Sequence, residues 1–307
     1  MNVYKVLRDS DVFSNIRASE FYSKYEARIV IETLTEVALL DPSFFDKFCA
    51  YILLNNGVRV TSWEVNNDCG SKQPVYIIFD EHGRIPLELL HGDSIVFHAH
   101  LNFGHEDRQY PNLFDYPLGC NSFVPEKPFT PFGQRRINVF FSGNLHAGRR
   151  KLYQQLIGIP FLPLRLLTKL QRMANLNFDN KWSSSYIRFT DGFSKGLSFD
   201  AYSEYLYNSK IILSPSGISN SECFRHYEGL RAGCVVVTEK IPAKPQLSGS
   251  PIIEVKDWSS GFDTISELLK DPAGLDKLGK DSYNWYRDHI SPRPLAKYII
   301  NSVKTLI

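Results

Sequence analysis

Between residues 18 and 40 the apolar side chains of ASEFYSKYEARIVIETLTEVALL recur at helical spacing, which predicts one long helix with a single buried stripe. The next stretch, DPSFFDKFCAYILLNN, reads as a second helix, with Asp41 as its N-cap and Pro42 at its first position. The period then shortens. VRVTSW (58 to 63), VYIIFD (75 to 80) and SIVFHAHL (94 to 101) are short β-branched runs bounded by Gly, Asn and Asp, the pattern of strands. A small α/β unit is expected here.

From Tyr110 to Arg136 neither period survives, and Pro, Gly and aromatic residues crowd together. Such a composition suits an ordered extended connection rather than a flexible linker. It places a domain boundary near residue 130, giving a reduced α/β domain over 1–130 and a second domain over 131–307.

Beyond the boundary the pattern alternates. INVFFSG, YIRFT, KIILSPSG, CVVVTE and SPIIEV read as strands, with helices from about Arg149, from SFDAYSEYLYNS capped by Ser198, and from near Ser221. Alternation of this kind predicts a parallel sheet with right-handed crossovers, so the second domain is Rossmann-like. FDTISELLKD, PAGLDKLGKDSYNWYRDHI and SPRPLAKYIINSVKTLI close the chain as helices. In open sheets of this class ligands sit at the carboxyl ends of the strands, so the loops after FFS, IRFT and IILS carry the expected chemistry.

Composition narrows this picture only a little. With 35 basic and 33 acidic residues the net charge is +2, which supplies no general field for nucleic acid, and an anion site must be local. The first residues lack the apolar core of a signal peptide, and no window is apolar enough to span a membrane. The expected location is cytoplasmic, with peripheral association with a membrane left open. Five scattered cysteines without a CxxC pair argue against a zinc ribbon or a disulfide framework, and free thiols suit a reducing compartment.

The strongest constellation runs from Ser209 to Val237. An apolar strand ends in SPSGISNS, and the loop residues Ser216, Gly217, Asn220 and Ser221 lead into a helix carrying Glu222, Arg225 and Glu228. Small hydroxyl and amide residues ahead of a helix N-terminus form an anion site, here suited to a diphosphate. A guanidinium adds a planar fork for phosphate oxygens, while a carboxylate accepts hydrogen bonds from ribose hydroxyls. The competing reading is an exposed Arg–Glu pair at helical spacing. Gly233 reads as the left-handed residue ending the helix.

YSEYLYNSKIILSPSG followed by FRHYEGLRAGCVVV resembles the nucleotide-sugar-binding region of exostosin-like glycosyltransferases and, more broadly, of the GT-B superfamily with its two Rossmann-like domains. The likeness covers about residues 137–300, with its core at Phe224, Arg225, Glu228, Leu230 and AGC (232–234). It implies phosphate contact for Arg225 and ribose contact for Glu228. Glu222 and Glu228 stand six positions apart, short of the related spacing of two glutamates in retaining GT-B enzymes, so retention against inversion stays open.

A second candidate is NVFFSGNLHAGRRKL, where Gly143 and Asn144 approach a ligand and Arg149 or Arg150 meets its phosphates; it lacks the spacing of the familiar phosphate loops. The third is FHAHLNFGHEDRQY (97–110). On its acceptor side an inverting transferase needs a general base, and His105, Glu106 and Asp107 are the candidates, with Asp80 behind them. The rival reading is a metal-dependent hydrolase built on His98, His100, His105 and Asp107. Asp9 and Asp11 read as a turn or cap, and no aromatic residue is assigned to a sugar platform.

The expected function is transfer of a sugar from a nucleotide-activated donor to a carbohydrate or glycoconjugate acceptor, by an α/β protein of GT-B-like fold with no cofactor and no metal. A catalytically silent sugar-nucleotide-binding module is the further alternative.

Overall fold

The structure, a computed structural model, describes residues 12–16, 20–55, 70–80, 83–101, 110–121, 123–192, 195–218, 221–241 and 244–306. Along the chain these form strand β1 (Val12–Ile16), helices α1 (Glu20–Leu40) and α2 (Phe44–Lys47), strands β2 (Phe48–Asn55) and β3 (Gln73–Asp80), helix α3 (Leu87–His91), and strands β4 (Ile95–His98) and β5 (Leu113–Asp115). Then follow β6 (Ile137–Asn144), α4 (Arg150–Ile157), α5 (Leu164–Ala174), β7 (Tyr186–Thr190), α6 (Phe199–Tyr207), β8 (Ser209–Leu213), α7 (Phe224–Arg231), β9 (Val235–Glu239) and β10 (Ile253–Val255). Helices α8 (Trp258–Leu268), α9 (Pro272–His289) and α10 (Pro292–Lys304) end the chain.

Two compact units emerge. The first comprises residues 1–122, 243–248 and 288–307, and the second residues 123–242 and 249–287. The expected division at 130/131 thus moves to 122/123, and the terminal helix α10 belongs to the first unit rather than the second. Its physical reason is local: α10 buries Leu295, Ala296, Ile299 and Val303 and packs along α1, where Arg293 also pairs with Glu36 at 3.5 Å.

The first unit holds a five-stranded parallel sheet in the order β1-β2-β3-β4-β5. Within it the expected second helix is corrected. Only Phe44–Lys47 is helical, with Ser43 as its N-cap, and FCAYILLN runs as β2, in parallel register with β3 from Phe48 opposite Gln73 to Asn55 opposite Asp80. A short continuous apolar run has no period that separates a buried strand from a buried helix, and pairing on both edges decides in favour of the strand. Strands β1 and β5 were not expected either; β5 is only three residues long. VRVTSW lies outside the described residues, as do Asp9 and Asp11.

The second unit confirms the alternating pattern. Its sheet is parallel throughout, ordered β10-β9-β8-β6-β7, so the winding direction reverses between β6 and β8. Its core gathers Val139, Phe141, Ile211, Leu213, Val235 and Val237 from the strands with Leu152, Tyr153, Trp258, Phe262 and Ile265 from the flanking helices. Ser198 caps α6 by accepting from the Ala201 amide at 3.3 Å, and Gly233 has φ 65°, both as expected. The thiol argument needs one correction: Cys49 is disulfide-bonded, whereas Cys223 and Cys234 carry thiols.

Candidate functional site

The reversal of strand order between β6 and β8 opens a crevice at their carboxyl ends, the place where such sheets bind ligands. Gly143 and Asn144 end β6, and the Ser214–Gly217 loop follows β8. The two loops touch backbone to backbone, since a Cβ on Gly148 would collide with the Gly217 carbonyl oxygen. Only a side chain as small as glycine permits that approach.

Two arginines converge on Gly143. Arg149, from the short turn before α4, donates from Nη1 to the Asn144 carbonyl at 2.8 Å and to Asn144 Oδ1 at 2.7 Å. Arg225, from α7, donates from Nη2 to the Ser142 carbonyl at 2.8 Å. A Cβ at position 143 would lie 2.6 Å from Arg149 Nη1 and 2.9 Å from Arg225 Nη2, so the glycine leaves room for both guanidinium groups. The Phe141 ring lies 5.7 Å from the Arg149 guanidinium carbon and 5.1 Å from that of Arg225, giving each charge an aromatic neighbour.

Burial and then the adjacent Arg225 charge hold the Arg149 guanidinium down at about 9, well below the usual arginine range. Arg225 shifts the other way: burial opposes its charge, but Tyr202, Cys223 and Glu228 favour it more. Burial, followed by the Arg149 and Arg225 charges, depresses His146 to about 4. Its imidazole is therefore neutral at neutral pH. Because Nδ1 accepts from the Gly148 amide at 3.2 Å, the proton sits on Nε2.

These groups leave donors without acceptors. His146 Nε2, Arg149 Nε and Arg225 Nε are all buried and have no hydrogen-bond partner among the described residues. A buried donor left unmade costs about 1–3 kcal/mol, and these three belong to neighbouring side chains, since the Arg149 and Arg225 charges both act on His146. His146 is absent from the expected site; nothing in the spacing of NLHAG distinguishes it from an ordinary loop residue.

The carboxylates of Glu222, just before α7, and Glu228, on α7, are buried rather than solvated. Glu228 is 4% exposed and accepts a hydrogen bond from the Tyr202 hydroxyl at 2.7 Å. Burial raises its pKa, offset in part by Tyr202 and Arg225. The alternative of an exposed Arg–Glu pair is therefore overturned. Glu222, 2% exposed, accepts from the Tyr227 hydroxyl, which ties it to the helix that follows. The helix begins later than expected: Cys223, not Ser221, is the N-cap, and His226 completes a capping box with it.

Thr238 fixes the state of that histidine. Its hydroxyl proton goes to the Ser214 carbonyl at 2.7 Å, so His226 Nε2–H donates to Thr238 Oγ1 at 2.9 Å. The other ring nitrogen faces Cys223 Sγ at 3.5 Å. Although burial works against both charges, the pair lowers the Cys223 thiol to about 5 and raises His226.

The other expected residues divide. Ser216 Oγ donates to Glu239 Oε2 at 3.3 Å. Ser221 is partly exposed and Arg150 exposed, so Arg149 is the arginine turned inward. Asn220, His105, Glu106 and Asp107 lie outside the described residues. In the first unit, Asp80 is fully buried and paired with Arg84 at 3.0 Å. His98 Nδ1 accepts from the His100 amide at 3.3 Å while Nε2–H donates to the Arg84 carbonyl at 3.2 Å. Both ring nitrogens are thus spent, and burial followed by His100 pushes His98 down to about 3. Among the described residues no three His, Cys, Asp or Glu side chains are placed to hold a metal ion.

No family model and no curated protein matches the sequence. Solved structures do match in fold. The chain is similar to TarM (TM-score 0.52, 10% identity, 88% of this chain and 58% of that chain). It is also similar to a glycosyltransferase from Rickettsia africae (TM-score 0.50, 10% identity, 94% and 96%). A third is an α-glucosyltransferase in complex with UDP-glucose and DNA containing an abasic site (TM-score 0.50, 14% identity, 90% and 84%). The chain spans 58% of the length of TarM. With two parallel α/β units and these neighbours, the fold is GT-B-like.

Proposed function

We propose that the chain is a glycosyltransferase, moving a hexosyl or related sugar from a nucleoside diphosphate donor to a carbohydrate or glycoconjugate acceptor. The observation that carries this reading is the convergence of the Arg149 and Arg225 guanidinium groups on Gly143 at the switch point of the second sheet, with buried donors at His146 Nε2, Arg149 Nε and Arg225 Nε that have no partner among the described residues. A leaving diphosphate gains negative charge as the glycosidic bond to the sugar breaks. Fixed N–H donors and two cations in a buried site stabilise that charge with little reorganisation.

Glu228, held by Tyr202, is the acceptor for ribose hydroxyls in this reading, and the Ser216 and Gly217 loop lies alongside the phosphates. The core at Phe224, Arg225, Glu228 and Leu230 supports the exostosin-like assignment within the GT-B class. One of His105, Glu106 and Asp107 is the proposed base. The reaction uses no cofactor, and its proposed place is the cytoplasm, although the Cys49 disulfide removes the free-thiol argument for that compartment. No described helix is long and apolar enough to cross a membrane.

Calorimetric titration with UDP, GDP and their sugar conjugates tests the site. Micromolar binding of one nucleotide, lost in Arg225→Ala and retained in Arg150→Ala, is the expected result; no binding by any nucleotide, or equal binding by both variants, overturns it. Turnover of the bound donor with an added glycan acceptor separates the transferase from a silent binding module, and turnover that survives a chelator separates it from the hydrolase.

A further inference from the structure

The second unit carries a surface that the donor site does not use. From Arg150 to Phe178 the sequence contains five Arg or Lys and no Asp or Glu, in a chain whose charges otherwise nearly cancel. Within this stretch Phe161 is 93% exposed, Met173 75%, Leu166 50% and Ile159 44%. Exposed apolar residues scattered singly need no explanation; these four share one turn and the helix that follows it.

The turn is built to hold its apolar tip outward. Gly158 ends α4 in the left-handed conformation with φ 72°, and Pro160 and Pro163 bracket Phe161, fixing the backbone on either side. Leu162 and Leu164 pack against the unit's core, and Gln154 Nε2 donates to the Leu162 carbonyl at 2.8 Å. The neighbours of Phe161 are thus anchored inward while its ring is not. On α5, Leu167 and Gln171 form the buried face. At 3.6 residues per turn the outer half presents Arg165, Lys169 and Arg172 as one stripe, with Leu166 and Met173 beside it. Arg172 also reaches Asp191 at 3.3 Å.

We propose that the Ile159–Phe161 turn and the outer face of α5 seat this unit on an anionic phospholipid bilayer. Ile159, Phe161, Leu166 and Met173 enter the interface, and Arg165, Lys169 and Arg172 meet the headgroup phosphates. An apolar edge beside a cationic stripe is the pattern of helices that lie in the membrane plane. Charge complementarity selects this occupant, because the stripe of Arg165, Lys169 and Arg172, in a stretch from Arg150 to Phe178 without Asp or Glu, suits a polyanionic plane. The α4 helix, about 12 Å long, separates the turn from Arg149, so the proposal stands apart from the donor site.

Co-sedimentation of the full chain with vesicles tests it, comparing phosphatidylcholine alone with phosphatidylcholine mixed with phosphatidylglycerol. Binding is expected only to the mixed vesicles and weaker as salt rises, because headgroup attraction is screened. Phe161→Ser lowers partitioning about tenfold or more, and Lys169→Glu about fivefold or more. Unchanged melting temperature and nucleotide binding in both variants show that the fold is intact. Absence of sedimentation with the mixed vesicles overturns the proposal, as does sedimentation that Phe161→Ser leaves unaltered. A Phe161-dependent dimer or duplex DNA complex without vesicle binding overturns it too.

Discussion

The Tyr202 hydroxyl donates to Glu228 Oε2 at 2.7 Å, across 26 residues of chain. The bond joins α6 to α7 and fixes a buried carboxylate beside the Arg225 guanidinium. A hydrogen bond to a charged group contributes about 1.5–3 kcal/mol. Tyr202→Phe is therefore expected to destabilise the fold by about 2 kcal/mol and to weaken donor binding, both measured on one preparation by urea unfolding and calorimetry. A neutral Glu228→Gln that keeps the Tyr202 bond should lose nucleotide affinity with less loss of stability. Equal stability losses in the two variants would contradict this division of roles.

Arg149 and Arg225 should matter unequally from Arg150. Truncating one member of a buried charged contact costs about 2–5 kcal/mol, so Arg149→Ala and Arg225→Ala are each expected to weaken nucleoside diphosphate binding about thirtyfold or more. Arg150 is exposed, and Arg150→Ala should leave the calorimetric affinity unchanged.

Gly143→Ala places a methyl 2.6 Å from Arg149 Nη1, and the guanidinium must move. Overpacking costs about 1–3 kcal/mol, and donor affinity should fall about tenfold in a protein that still melts cooperatively. A crystal structure of the variant would find Arg149 displaced from Asn144.

Acid stability follows from His146. Burial, then Arg149 and Arg225, holds its folded value at about 4 against an ordinary 6.5, so between these values only the unfolded chain binds the proton. Stability is then complete above about pH 6.5 and falls as the pH drops toward 4. His98, depressed to about 3, prolongs the loss at lower pH. Urea unfolding across this range should give a shallower acid slope for His146→Asn than for the parent.

The α/β alternation of the second unit was legible because its strands are short apolar runs between turn residues and α6 has its own cap at Ser198, whereas α5, which begins after Pro163 without a side-chain cap, was not expected. The helix carrying Arg225 and Glu228 was legible from its spacing, although it is capped by Cys223 rather than starting near Ser221. β2 was not, because FCAYILLN is apolar on both faces and its partner strands lie elsewhere in sequence. α10 was assigned to the wrong unit since amphipathic spacing states that a helix has a face to bury but not which surface receives it. His146 and Tyr202 escaped notice for a related reason: each acts through residues that local spacing does not connect to it, Arg149 and Arg225 for one and Glu228 for the other.

The sequence by itself determined local matters: which segments fold as strands in the second unit, where Gly233 ends a helix, and that any anion site is built from particular residues rather than from net charge. Tertiary structure decided which of Arg149 and Arg150 turns inward, that Glu228 is buried against Tyr202, and that the Arg149 and Arg225 guanidinium groups meet at Gly143. Periodicity along a chain encodes neighbours a turn or a pleat away. The order of strands in a sheet, and hence the crevice between β6 and β8, is set by packing between segments far apart in sequence.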